Sequence, residues 1–334
     1  MTYNQQPYFF LLSGENSTLP IAEFKSIIRT YDANSTIHKY NNIMFSVNGK
    51  LNLERILERG AYIKNGGILI GIYNINEFNE INNFPDIRFN TFSIKVINYS
   101  NLESSQKLVE KLYDKIKKTF PEARVNLEEP DVIFLTITYE DKLIITIKHN
   151  FSHKKEWYKR RARMRPFFHP SALTPKFSRA IINLTRIKEN EVLLDPFCGT
   201  GSILIESGIT NINCIGIDIS RKMCLGAKKN VKYFKLDNLG VINADSRYIP
   251  LKNVDGIVTD IPYGRCSSTH GLNCLQTLDI IYDNIDILKK DRYCCIVHPS
   301  NNKIKSNNKL KLVEQHSIYV HRNLIRMISI MKKI

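Results

Sequence analysis

The residues best suited to chemistry in this chain are Asp260-Ile261-Pro262-Tyr263, which put a carboxylate, a proline and an aromatic ring within four positions. They follow the apolar run Gly256-Ile257-Val258-Thr259, so a short buried strand ending in a rigid turn would present them at a strand's carboxyl end. In open α/β sheets ligands bind there. Alone, the tetrapeptide reads first as an ordinary strand-to-loop turn, and it gains meaning from a second stretch upstream. Val192-Leu193-Leu194 has the pattern of a buried strand, followed by Asp195-Pro196-Phe197-Cys198-Gly199-Thr200-Gly201-Ser202 and then Ile203-Leu204-Ile205. Strand, glycine-rich turn and helix start make the opening of a nucleotide-binding βαβ unit. Gly199 and Gly201 let the backbone approach a ligand, and the helix start supplies unpaired N–H groups.

The turn has neither the G-x-G-x-x-G spacing of dinucleotide folds nor the G-K-[ST] of a phosphate loop. No lysine closes it and Asp195 opens it, an arrangement poor for a triphosphate. A cationic nucleoside bearing an amino acid fits better, and S-adenosylmethionine is that ligand, with Asp195, Phe197, Gly199, Thr200 and Gly201 around it. The next strand, Cys214 to Ile217, ends in Asp218, at the distance where an acid binds ribose hydroxyls. After Val241-Ile242 comes Asn243-Ala244-Asp245-Ser246, where Asp245, with Ser246 beside it, would accept the adenine amino group. Each acid separately reads as a turn or cap residue. Four in succession, each after an apolar strand at βα spacing, define a site.

The elements that must position these acids occupy the second half of the chain. Leu272 to Leu288 reads as a helix, Tyr293 to Val297 as a fifth strand, and Lys311 to Tyr319 with Leu324 to Ile330 as a closing antiparallel pair. The fold class is therefore α/β, a Rossmann-like, mostly parallel seven-stranded sheet with one antiparallel edge strand. Upstream, short strands alternate with helices: Tyr8 to Leu12, a helix from Leu19-Pro20, Ile43 to Val47, a helix through Leu53 and Leu57, and Ile68 to Ile72. Phe92 to Ile97, a helix with Leu108, Leu112 and Ile116 on one face, and a hairpin of Val132 to Thr138 with Leu143 to Lys148 follow. The lysines at 107, 111, 115, 117 and 118 read as that helix's solvated face.

With 334 residues the chain divides into two or three domains, and its 43% hydrophobic and 24% charged residues are those of a globular protein. No apolar run approaches the ~20 residues of a membrane span, so a cytoplasmic protein is the default. The seven cysteines form no C-x-x-C pair, and no metal site is expected. The formal net charge of +16 implies a polyanionic partner, most simply a nucleic acid. The charge is densest between His153 and Arg165, where Lys154, Lys155, Lys159, Arg160, Arg161, Arg163 and Arg165 surround Trp157 and Tyr158. Stacking surfaces among phosphate-neutralising cations suit RNA, and these bases with Trp157 are the expected RNA contacts. The same stretch is the expected domain boundary.

Taken together, the turn Asp195 to Gly201, Asp218, Asp245 and Asp260-Ile261-Pro262-Tyr263 resemble the ordered motifs of class I S-adenosylmethionine-dependent methyltransferases acting on exocyclic amino groups. The chain as a whole resembles the archaeal tRNA (guanine(10)-N2)-methyltransferase family, notably at Leu12-Ser13-Gly14-Glu15-Asn16-Ser17-Thr18-Leu19-Pro20 and from Phe168-His169-Pro170-Ser171 to Pro175. The resemblance implies a ferredoxin-like domain over 1–80, an RNA-gripping THUMP domain over 81–152, a basic linker over 153–168 and a methyltransferase domain over 169–334. It implies tRNA as substrate, N2 of guanosine-10 as target, and one or two methyl groups transferred. The Asp260 carboxylate and the Ile261 carbonyl would accept hydrogen bonds from the amine, and Tyr263 would stack on a flipped base. The family's usual tetrapeptide is Asp/Asn-Pro-Pro-Tyr/Phe. Here Ile261 replaces the first proline, leaving only Pro262 to fix φ. Two rivals remain at this level: an N6-adenine methyltransferase on DNA or RNA, and a non-catalytic RNA-binding partner subunit. Whether a small activating partner subunit is needed stays open.

Overall fold

The computed structural model describes residues 6–81, 84–85, 87–149, 156–237, 239–262, 274–322 and 324–334. In chain order the elements are β1 (Tyr8–Leu12), α1 (Leu19–Tyr31), β2 (Thr36–Lys39), β3 (Met44–Asn48), α2 (Leu53–Arg59), β4 (Ile63–Asn74), β5 (Thr91–Asn98), α3 (Ser105–Thr119), β6 (Arg124–Val125), β7 (Val132–Tyr139) and β8 (Lys142–His149). The second half continues with α4 (Pro175–Leu184), β9 (Val192–Asp195), α5 (Ser202–Ile209), β10 (Asn213–Asp218), α6 (Arg221–Tyr233), β11 (Leu239–Asn243), β12 (Val254–Asp260), α7 (Cys274–Asp283), β13 (Leu288–Pro299), β14 (Leu310–His321) and β15 (Leu324–Lys333). Two compact units result. One holds Met1–Ser13, Asn34–Glu58 and Ile63–Lys154, the other Gly14–Ala33, Arg59–Tyr62 and Lys155–Ile334.

The first unit is built on an eight-stranded sheet in the order β2-β3-β1-β4-β8-β7-β5-β6. Its strands from before and after residue 80 pair directly, β4 with β8, from Ile68 opposite Ile147 to Asn74 opposite Lys142. The division expected at 80/81 therefore falls inside one continuous sheet. β4 runs through Gly66, where an added Cβ would lie 2.8 Å from the Phe10 ring and 2.9 Å from Leu57. Pairing with β1, from Tyr8 opposite Ile68 to Leu12 opposite Ile63, extends the strand beyond the apolar run visible in the sequence. Leu108, Leu112 and Ile116 of α3 pack on Phe92 and Phe134, as their i, i+4, i+8 spacing predicts. The lysines of α3 stay outside this core; Lys117 donates to the Ala123 carbonyl at 2.9 Å, and Lys111 pairs with Glu103 at 2.6 Å.

The second unit carries a seven-stranded sheet in the order β11-β10-β9-β12-β13-β15-β14. Neighbours from β11 to β13 are parallel, and β15 runs antiparallel to both β13 and β14. The one reversed strand thus lies one place in from the edge, because the closing hairpin inserts its second strand beside β13. α1 belongs to this unit rather than to the first. Asn16 Oδ1 accepts from Thr18 N and Leu19 N at 2.9 Å and starts that helix. Its buried Glu23 accepts from Ala61 N at 2.6 Å, Tyr62 N at 2.8 Å and Asn183 Nδ2 at 2.6 Å. Among the described residues no helix is long and apolar enough to cross a membrane.

Candidate active site

β9, β10 and β12 stop at Asp195, Asp218 and Asp260, so three carboxylates collect at one edge of the sheet. Strand order reverses direction between β9 and β12, and this edge is the crevice where such folds bind ligands. Asp195 is 1% exposed, its Oδ1 accepting from Thr259 Oγ1 at 2.9 Å and Phe197 N at 3.2 Å. Burial pushes its carboxyl up to about 7 against the pull of those two donors, and the like charges of Asp218 and Asp260 add to the rise. A cation brought to this edge would offset the like charges and favour the ionised form.

The turn after β9 adopts the conformation its glycines permit. Gly199 has φ +52° and Gly201 φ +81°, and a Cβ added at Gly199 would meet nothing within 4 Å. That face of the turn is open space. Asp218 braces the turn, accepting from Gly199 N at 2.9 Å through one oxygen and Ser220 N at 2.8 Å through the other. The buried Asn230 of α6 braces it from beneath, donating to Thr200 O and Phe167 O at 3.0 Å and accepting from Phe167 N at 2.9 Å. Phe197 is half-buried, packed against the cluster that includes Leu194 and Ile217, while Thr200 is buried.

Two expected cofactor contacts are otherwise engaged. The Ser246 hydroxyl is buried and donates to the Pro196 carbonyl, tying two turns together. Asp245 is gripped by Arg247, whose Nε and Nη2 donate to Oδ2 at 2.9 and 2.6 Å, and that guanidinium holds the carboxyl below its usual range. Any adenine contact by Asp245 must share it with Arg247.

At the end of β12, Ile261 N donates to Val297 O at 3.1 Å, carrying strand pairing one residue past Asp260. The Ile261 side chain is 1% exposed, packed with Ile257, Leu278 and Ile281. The departure from a proline therefore adds a sheet hydrogen bond that proline lacks and a core contact. Pro262 follows, half-buried. Tyr263 lies outside the described residues, as do Lys154 and Lys155.

The basic segment divides in two. Arg160 is buried, its Nε donating to Glu206 Oε1 at 2.6 Å, and Arg179 reaches the other Glu206 oxygen at 2.8 Å. The two guanidiniums lie 5.1 and 5.6 Å from the Trp157 ring. Arg165 is buried too, bonded to Ser202 Oγ at 2.7 Å and Arg160 O at 2.9 Å, and burial lowers its guanidinium to about 10. Arg160 and Arg165 are thus turned inward, away from the RNA contact expected of them, because the fully buried Glu206 of α5 demands cations, while Trp157 stays half-buried. Lys159, Arg161 and Arg163 stay exposed. Among the described residues no group of three or more His, Cys, Asp or Glu could hold a metal. Thr259, Glu206 and Arg326 enter the site's surroundings without a sequence signal. Arg326 Nη2 lies 3.6 Å from Asp260 Oδ2.

Parallel strands with a switch point, a glycine turn and acids at the strand ends define the second unit as a class I methyltransferase domain. A family model described as an RMKL-like methyltransferase domain matches residues 162–305, and one described as a DNA methylase matches residues 16–229. The tRNA (guanine(10)-N2)-dimethyltransferase of Methanocaldococcus jannaschii is 28% identical over 97% of this chain and 99% of its own. That of Pyrococcus abyssi is 34% identical over 69% of this chain and 71% of its own. The chain belongs to the tRNA (guanine(10)-N2)-dimethyltransferase family. Among solved structures, TrmN from Thermus thermophilus, at 13% identity, shares the fold with a TM-score of 0.55 over 98% of this chain and 100% of its own.

Proposed function

We propose that this chain transfers methyl groups from S-adenosylmethionine to the exocyclic N2 of guanosine-10 in tRNA, giving N2-methyl- and then N2,N2-dimethylguanosine. The observation that carries the reading is the placement of Asp260 at the same sheet edge as Asp195, Asp218 and the open Gly199 turn, in a member of this family. The residues fit the cofactor. Asp195 is a buried acid whose ionisation a cationic ligand favours, and Gly199 leaves room for close approach. Asp218 stands at the ribose position, and the adjoining Ile219, 47% exposed, offers apolar surface to a base. Bound there, S-adenosylmethionine supplies an electrophilic methyl group on a positively charged sulfur.

The chain's own residues then act on a weak nucleophile, since the guanine N2 lone pair is delocalised into the ring. Asp260 and the Ile261 carbonyl accept hydrogen bonds from the amine and draw nitrogen toward a tetrahedral geometry. Asp260 would take the surplus proton from the nitrogen after methyl transfer. The Ile261 N–H bonded to Val297 and the buried Ile261 side chain hold in place the residue that bears this carbonyl. Tyr263 stacks on the flipped base.

The first unit serves as the tRNA-gripping half, a ferredoxin-like portion and a THUMP portion sharing one sheet. Lys154, Lys155, Lys159, Arg161 and Arg163 supply phosphate contacts. A cytoplasmic location fits a tRNA substrate, and a small activating subunit would be a further partner. Incubating the purified chain with S-adenosylmethionine and a tRNA transcript, followed by mass spectrometry of nuclease fragments, tests the reading. Dimethylguanosine at position 10 is expected. N6-methyladenosine would favour the adenine reading that the DNA-methylase match keeps in view. No methylation, together with no calorimetric binding of S-adenosylmethionine, would favour a non-catalytic partner subunit.

A further inference from the structure

Arg326 lies far along the chain from the acids, yet the topology delivers it to the site. β15 runs against its neighbours, so its first residues reach the edge where β9, β10 and β12 end. In register, Val297 lies beside Asp260 on one side and Ile328 on the other, and Arg326 stands two residues nearer the start of β15, opposite Pro299. Arg326 Nη2 is 3.6 Å from Asp260 Oδ2, with the two side chains 21% and 16% exposed. At that separation the attraction is chiefly electrostatic and, in a partly buried setting, well above that of a surface pair. The guanidinium is itself steadied, its carbon 5.9 Å from the centre of the Phe177 ring, a buried side chain in the first turn of α4. Thr174 Oγ1 caps that turn by accepting from Phe177 N at 3.4 Å.

Asp260 needs such a neighbour, because it shares the edge with Asp195 and Asp218, and three carboxylates repel one another where the substrate amine must approach. His298 of β13, next along the chain from Val297, is turned to Ser329 Oγ at 2.8 Å and is fully buried. We propose that Arg326 is a positioning residue for methyl transfer, holding the Asp260 carboxylate in the orientation in which it meets the substrate amine, with the Phe177 ring fixing the guanidinium. The inference rests on the reading of Asp260 given under Proposed function.

The test compares Arg326→Gln, Arg326→Met, Arg326→Lys and Asp260→Ala in single-turnover methylation of tRNA, with tRNA and S-adenosylmethionine affinities measured in parallel. Removal of the charge by Gln or Met, whichever variant melts like the wild type, is expected to slow the saturated rate on the order of 10- to 100-fold while both affinities stay within about 3-fold. Lysine is expected to recover most of the rate, which a merely structural loss would not show. A Gln or Met variant within about 2-fold of wild type, or a lysine variant no faster than Gln, overturns the inference. So does a loss confined to tRNA affinity, which would make Arg326 a phosphate contact. If Asp260→Ala is inactive while the Arg326 variants are normal, only this inference fails; if Asp260→Ala is active, the reading beneath it fails as well.

Discussion

The acids at the carboxyl edge of the second sheet and the bases of residues 156–165 are both dense clusters of one charge, but they are organised by different physics. Asp195, Asp218 and Asp260 each end a parallel strand, so the strand period and the chain reversal fix their common location. The bases lie on and beside two short 3-10 turns, Trp157–Arg160 and Ala162–Met164, where no period sorts inward from outward. There the sorting is done by one distant residue, the buried Glu206, which takes Arg160 and leaves Lys159, Arg161 and Arg163 in solvent. A cluster of charge thus reports function only where an element dictates its direction.

The widest break in that comparison comes from Glu206→Ala, which strands two buried guanidiniums. It should cost about 3–5 kcal/mol of stability, read as a fall in denaturant midpoint, while leaving RNA contacts intact. A variant as stable as wild type would return Arg160 to the pool of RNA-binding cations. Next in size is charge reversal at Lys159, Arg161 and Arg163 together. This should weaken tRNA binding by about ten-fold or more and lower the salt slope by roughly 2–3, at about 0.7–0.9 for each phosphate no longer neutralised, with melting unchanged. An unaltered slope would make the outward half a plain linker.

Smaller effects sharpen the acid edge. Ile261→Pro removes the N–H that meets Val297 and part of a buried side chain, for an expected loss of about 1–3 kcal/mol in a melt or denaturation curve. If stability is unchanged, that bond contributes nothing. Asp195 gives a pH signature. Its folded value of about 7 lies above the unfolded carboxylate value, so its contribution is present in acid and lost as pH rises from about 4 through about 7. Asp195→Asn should flatten the ligand-free protein's stability over that window and weaken S-adenosylmethionine binding in calorimetry. A pH profile identical to wild type would contradict the buried-acid reading.

Much of the second sheet could be read from residues alone, because runs such as Gly256 to Thr259 and Cys214 to Ile217 have the length of buried strands and end in acids. The position of the reversed strand could not, since nothing in Leu324 to Ile330 says which member of the hairpin sits beside β13. α1 was visible from its apolar spacing, but its membership of the second unit depends on Glu23 meeting the backbone at Ala61 and Tyr62 and the side chain of Asn183. Within the site, the glycine turn and the three edge acids were legible. Ser246 and Asp245 were not, because their engagement by Pro196 and Arg247 is set by local turn geometry. Arg326 was beyond reach, being brought to Asp260 only by the pairing of β13 with β15.

The central claim is that Asp260 activates the amine at the edge of a cofactor pocket, and single-turnover methylation of tRNA by Asp260→Ala, with both ligands' affinities measured alongside, tests it most directly. The expected result is a loss of at least about 10²–10³-fold in rate, with tRNA and S-adenosylmethionine still bound. A methylation rate near that of the wild type would contradict it.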